Sequence, residues 1–176
     1  MRGHVVNRSG RAVAAACLVA GGLALVGCGG GSDSTTSSTG TAGSRPLSQS
    51  EFTSQASAAC REANDKIEAL KAPPKNADLN TLASLAAQQI TIANQTYSKL
   101  AGITPPSDLQ QQYSQYLANG KASIGIAQQL ESAAKSGDTG QVKKSAQKLA
   151  VNNKQGNSQA KELGLDECAK DVSPQG

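Results

Sequence analysis

The chain has 176 residues, with 17 Lys and Arg against 13 Asp and Glu, four Cys, no Trp and a single His at position 4. Beyond those first residues no histidine remains, which excludes Ser-His-Asp and Cys-His catalysis and every histidine-ligated zinc site. Arg2, Arg8 and Arg11 also lie at the extreme N-terminus; without them 14 basic residues face 13 acidic ones, a net charge of +1 that offers no field for nucleic acid or an acidic membrane surface.

Those three arginines form a basic start, and Ala12 to Val26 is then nearly all Ala, Val, Leu and Gly. This is the pattern of a secretory signal peptide. The run is shorter and more glycine-interrupted than the roughly 20 apolar residues a membrane-spanning helix needs. It ends in Leu25-Val26-Gly27-Cys28, which resembles the bacterial lipobox, where small residues ahead of a cysteine admit a lipoprotein-specific peptidase. The resemblance implies a signal peptide over 1–27 and a mature chain that starts at Cys28, with a diacylglycerol on its thiol and an acyl chain such as palmitate on its amine. Each buried methylene contributes about 0.8 kcal/mol, and two or more chains give stable anchoring. The expected location is therefore the extracytoplasmic face of the cell membrane, with the membrane itself as a partner through the lipid.

Residues 28–47 read as the lipidated cysteine and a flexible tether, because Gly29 to Ser44 is dominated by Gly, Ser and Thr and offers almost nothing to a core. Such a tether typically spans about 24 Å and stretches to roughly 65 Å, which keeps the folded part close to the membrane.

Helical periodicity begins after Leu47 and defines a domain over 48–172, leaving 173–176 as a disordered tail. Phe52, Ala56, Ala59 and Cys60, Ala63, Ile67 and Leu70 form the first apolar stripe. Ser48-x-x-Glu51 is a capping box, with Leu47 and Phe52 at the positions of a hydrophobic staple, and Pro73-Pro74 is the expected stop. The second stripe runs Leu79, Leu82, Leu85, Ile90, Ala93, Tyr97 and Leu100, capped by Asp78 or Asn76 and closed near Gly102. The third runs from Leu109 through Tyr113, Tyr116, Gly120, Ile124 and Leu130, with Thr104-Pro105 as its expected start and Gly137 as its C-terminal cap. Asp138-x-x-Gln141 predicts another capping box for the fourth, which continues through Val142, Leu149, Asn153, Gly156 and Ala160 to Leu163, with Gly164 closing it. Short links between four amphipathic helices predict an all-α, up-down-up-down four-helix bundle. Alanine fills much of each stripe, so the core is expected to be thin. Asn153 and Gly156 admit three readings: a polar pocket, a close helix crossing, or a stripe that drifts around the helix.

Cys17 falls in the leader and Cys28 is assigned to lipid, which leaves Cys60 and Cys168. An even pair in an oxidising compartment is expected to be bridged, the alternative being two unrelated buried thiols. No metal site is expected, because two thiolates alone leave a coordination sphere incomplete.

Phe52-x7-Cys60, the Pro105-Pro106 turn, the Ser136-Gly137-Asp138 link and Leu163-Gly164-Leu165-x-x-Cys168 together resemble a group of small bacterial lipoproteins and secreted helical proteins of unknown function. The resemblance covers roughly 52–168, implies a helical bundle with its terminal cysteines paired, and brings no catalytic residues.

No phosphate-binding glycine loop is present, and the four aromatics, Phe52, Tyr97, Tyr113 and Tyr116, are too few for stacking platforms. The carboxylates Glu62, Asp65, Asp166 and Glu167 and the lysines Lys143 and Lys144 read as surface charge, so no catalytic residue and no cofactor are expected, and the chain reads as a non-enzyme. The expected function is a non-enzymatic binding or adaptor module of the cell envelope that meets an envelope protein or a small ligand. The alternative is a carrier or sensor of a small apolar ligand held between the helices, with Tyr97, Tyr113 and Tyr116 as candidate lining; an apolar cavity distinguishes it from a tight core.

Overall fold

The structure, a computed structural model, describes residues 46–175. The expected signal peptide 1–27, the lipobox residues Leu25, Val26 and Gly27, the lipidation site Cys28 and the tether up to residue 45 lie outside the described residues. Within them stand four helices, α1 Gln49–Glu68, α2 Leu79–Ala101, α3 Gln110–Lys135 and α4 Thr139–Glu162, followed by a 3₁₀ helix, Asp166–Ala169. The fold is the all-α bundle that the stripes predict.

Local chemistry fixes most helix ends. At α1 the Ser48 hydroxyl accepts from the Glu51 N–H, and the Glu51 carboxylate accepts from the Ser48 N–H at 2.9 Å, which completes the capping box. Leu47 packs against the cluster that holds Phe52. Asp78 rather than Asn76 caps α2, accepting from the Thr81 N–H at 2.7 Å, and this bond holds its carboxyl below the usual carboxylate range. Gly137 and Gly164 take positive φ, 77° and 72°, the left-handed backbone that glycine adopts without a Cβ penalty. Each closes a helix in the same way. Asp138 N–H donates back to the Ala133 carbonyl and Leu165 N–H to that of Ala160, at 3.0 and 2.8 Å. Asp138 then turns from ending α3 to starting α4, accepting from the Gln141 N–H at 2.9 Å.

Four sequence expectations are corrected. Helix α1 stops at Glu68, ahead of Pro73-Pro74. The following residues take their partners from the C-terminus instead: Gln175 N–H donates to the Leu70 carbonyl and Ala72 N–H donates to that of Gln175. The segment expected to be a loose tail over 173–176 is therefore tied down at Gln175. Helix α3 begins at Gln110, not at Thr104-Pro105. The Thr104 carbonyl accepts from Leu47 N–H and the Pro106 carbonyl from Leu109 N–H, so this stretch is a turn that holds the approach to α1. Finally, Gln141 does not return the capping bond; its side-chain amide donates to the hydroxyl of Ser145, which is fully buried.

Consecutive helices pack antiparallel. Glu62 on α1 meets Lys99 on α2, and Lys66 donates to Gln95 one turn further along. Tyr113 on α3 donates to the Leu100 carbonyl at 2.7 Å, and Asn152 on α4 donates to Asn119 on α3 at 3.1 Å. α4 and α1 are joined through the 3₁₀ helix, which packs on both. Phe52, Tyr113, Leu163 and Leu165 are the large, fully buried side chains, and most other buried positions are alanine. The Phe52 and Tyr113 rings meet edge to face at 5.0 Å, worth about 0.5–1.5 kcal/mol beyond their buried area. Beside them the expected disulfide links Cys60 to Cys168 across 108 residues, with Cα atoms 5.0 Å apart.

The chain-entropy model assigns a loop of that size about 4.7 kcal/mol as an upper figure. Replacing both cysteines by serine is expected to lower the unfolding free energy by about 2–5 kcal/mol, measured by urea titration of oxidised wild type against the double variant. A loss below about 1 kcal/mol would mean that the loop adds nothing to this core.

Hydrogen bonds from Lys66 and Lys99 and their charges hold the Glu62 carboxyl at about 2, against an ordinary 4.5. A carboxyl depressed in the folded state stabilises fully above its unfolded value and loses that contribution as pH falls towards the folded one. Glu62→Gln is therefore expected to flatten the fall in stability between pH 4.5 and about 2, leaving the slope near neutrality unchanged. Thermal melts at half-unit pH steps test this; parallel acid limbs would show that the pair contributes nothing.

Candidate functional site

α1 is 20 residues long, whereas α2, α3 and α4 have 23, 26 and 24. Beyond Glu68 no turn of α1 remains to cover its neighbours. Inward positions near that end are occupied by Ala63, Ala93, Gly120 and Ala127, which have no side chain long enough to reach the bundle axis. The two effects leave a groove of about 340 Å³ between the helices, within the roughly 300–1,000 Å³ range of small-molecule sites. Alanine-filled stripes were expected to give a thin core; here they also leave space between the helices.

Each helix contributes a wall. Ile67 comes from α1, Ile90 and Tyr97 from α2, Leu117 and Ile124 from α3 and Leu149 from α4. Both cysteines of the disulfide and Val172 of the C-terminal segment complete the lining, so the clasp that closes the bundle also forms part of the groove. Among the described residues no Asp, Glu, Lys or Arg lies in the wall. Its polar side chains are neutral: Asn64, Gln89, Thr96, Ser123 and Asn153, with the phenols of Tyr97 and Tyr116.

Several of these groups are already engaged. Asn64 donates to the Glu167 carbonyl at 2.9 Å and Thr96 to that of Ile92 at 2.8 Å. Ser123 accepts from Asn152 at 2.6 Å and donates to the Asn153 side-chain oxygen at 3.2 Å. Burial pushes the Tyr116 phenol up to about 12, so it stays a neutral hydroxyl across the physiological range.

The three candidate tyrosines divide. Tyr97 and Tyr116 line the groove; Tyr113 belongs to the packed end, buried against Phe52, and burial raises its phenol too. Asn153 and Gly156 are also resolved. Asn153 reaches the groove wall. Gly156 marks a close crossing, since a Cβ there would stand 3.0 Å from the Asn119 side-chain oxygen. Sequence reasoning passed over Asn119, Ser123 and Asn152, which join α3 to α4 beside the groove. The available signal was a set of polar residues next to inward-facing glycines on two neighbouring helices.

The carboxylates have other partners. Glu62 is paired with Lys66 and Lys99. Glu167 is held below the usual carboxylate range by its bond from Lys170, with Arg61 adding attraction. Among the described residues no group of three or more His, Cys, Asp or Glu is placed to hold a metal ion, and no helix is long and apolar enough to cross a membrane. No family model matches the chain, and neither the curated proteins nor the solved structures compared with it give a match, so the resemblance to small lipoproteins rests on the sequence motifs alone.

Proposed function

We propose that the protein is a lipid-anchored, extracytoplasmic, non-enzymatic binding module that holds a small apolar ligand between its helices. The observation that carries this reading is the groove of about 340 Å³ with aliphatic walls on all four helices and no charged side chain. A tight core would have favoured the adaptor reading. Burying apolar surface yields about 25 cal/mol per Å², and the aliphatic lining of the groove offers such surface to a ligand. The exposed glutamine clusters Gln110 to Gln112 and Gln128-Gln129 fit solvated helix faces. The lipobox, Cys28 and the short tether support attachment at the membrane, where apolar ligands are concentrated.

Two measurements test the reading. Metabolic labelling with a palmitate analogue is expected to tag the protein in its native host and to fail for Cys28→Ala; persistent labelling of the variant would refute the anchor. Titration with N-phenyl-1-naphthylamine, a neutral dye that brightens in apolar surroundings, is expected to saturate at one site per chain. Ala127→Phe, which fills the groove from α3, is expected to weaken that binding at least tenfold with an unchanged helical spectrum. Dye binding that ignores this substitution would remove the ligand site.

A further inference from the structure

Resting on the binding reading above, we infer that the groove takes the alkyl chain of a single-chain amphiphile with an uncharged, hydrogen-bonding head, of the monoacylglycerol class. Three observations converge on this class.

Size comes first. A volume of about 340 Å³ lies near the low end of small-molecule sites, the scale of one alkyl chain and not of the two of a membrane phospholipid. The walls offer that chain methyl and methylene contacts from Ile67, Ile90, Leu117, Ile124 and Leu149.

Charge comes second. An ionised carboxylate or phosphate drawn into the groove would meet no cation in the lining, and an unpaired buried charge is strongly disfavoured. Lys66 and Lys99 pair with Glu62, and Arg61 and Lys170 with Glu167, and none of the four is in the lining. A cationic head fares no better, since no carboxylate lines the groove.

The third is the set of neutral polar groups still unused. The side chain of Gln89, half-buried in the wall, has no intramolecular hydrogen bond among the described residues, and the amide nitrogen of Asn153 has none either. The hydroxyls of Tyr97 and Tyr116 are similarly without a protein partner. Amides and phenols of this kind pair with hydroxyls and an ester carbonyl, which is what a glyceryl head presents.

The test is isothermal titration of the full, natively processed protein in a fluorinated surfactant at pH 8, using monoacylglycerols of about six to sixteen carbons and fatty acids of equal length. Each added methylene is expected to tighten binding about fourfold until the groove is filled, with the ionised fatty acid at least tenfold weaker at every length. Ala127→Phe should abolish the length dependence. Should that variant lose its helical spectrum, Gln89→Leu combined with Asn153→Leu serves instead: it should weaken the monoacylglycerol at least fivefold and spare the naphthylamine dye. Equal affinity for the ionised acid, or affinity still rising at sixteen carbons, would overturn the ligand class while saturable dye binding kept the groove as a site. Binding that emerges only in Cys28→Ala would mean that the protein's own acyl chain fills the groove, and would also overturn it. Loss of dye and chain binding alike would remove both readings together.

Discussion

Cys60 lies in the body of α1 and Cys168 in the 3₁₀ helix after α4, and their bond fixes to α1 the segment that also packs on α4. The surrounding contacts follow from it. Asn64 reaches the Glu167 carbonyl, Arg61 stands 4.0 Å from the Glu167 carboxylate, and Ala169 is buried in the core cluster with Cys60. A bundle whose buried positions are largely alanine gains little from each interhelix contact, because a methyl group removes little area from water. Closing a loop of more than a hundred residues acts instead on the unfolded chain, restricting it before any packing is considered. Small secreted domains with modest cores use the same compensation.

That economy also shapes the groove. At the clasp end Phe52, Tyr113, Leu163 and Leu165 fill the axis. Towards the other end the inward positions become Ala93, Gly120 and Ala127, and α1 has already stopped. Large side chains gather where the chain is covalently closed, and the space lies further along the axis, with the disulfide forming part of its lining. The covalent closure and the opening are therefore neighbours: both cysteines line the groove together with Leu100 and Val172.

Much of the architecture was legible because it rests on local rules. Ser48-x-x-Glu51, Asp78, Gly137 and Gly164 act within one turn of where they stand, and the structure shows each doing what its chemistry dictates. The disulfide was legible by elimination. What failed was non-local. Thr104-Pro105 has the residues of a helix start, but the Thr104 carbonyl is claimed by Leu47, more than fifty residues away. Past the early end of α1, Leu70 and Ala72 bond to Gln175 near the far end of the chain. The groove shares this property: an alanine in a stripe reads the same whether a neighbouring helix closes over it or stops short. Only helix lengths compared across the bundle separate the two, and the segment past the early end of α1 takes a partner that periodicity does not reveal.

The proposed placement and the groove bear on each other physically. On the proposed reading, a tether spanning about 24 Å would hold the domain within reach of the bilayer surface, where single-chain amphiphiles concentrate and from which they leave slowly. A soluble domain would have to capture such a molecule from water, where little of it exists; a tethered one meets it at the interface. The uncharged wall suits that position, since an anionic or cationic pocket would compete for phospholipid heads, the most abundant groups nearby. Neutral amides and phenols around an aliphatic channel leave those heads unrewarded and favour a minor, uncharged component. On the proposed reading, selectivity of this kind comes from what the groove withholds: among the described residues no Asp, Glu, Lys or Arg is placed in its lining.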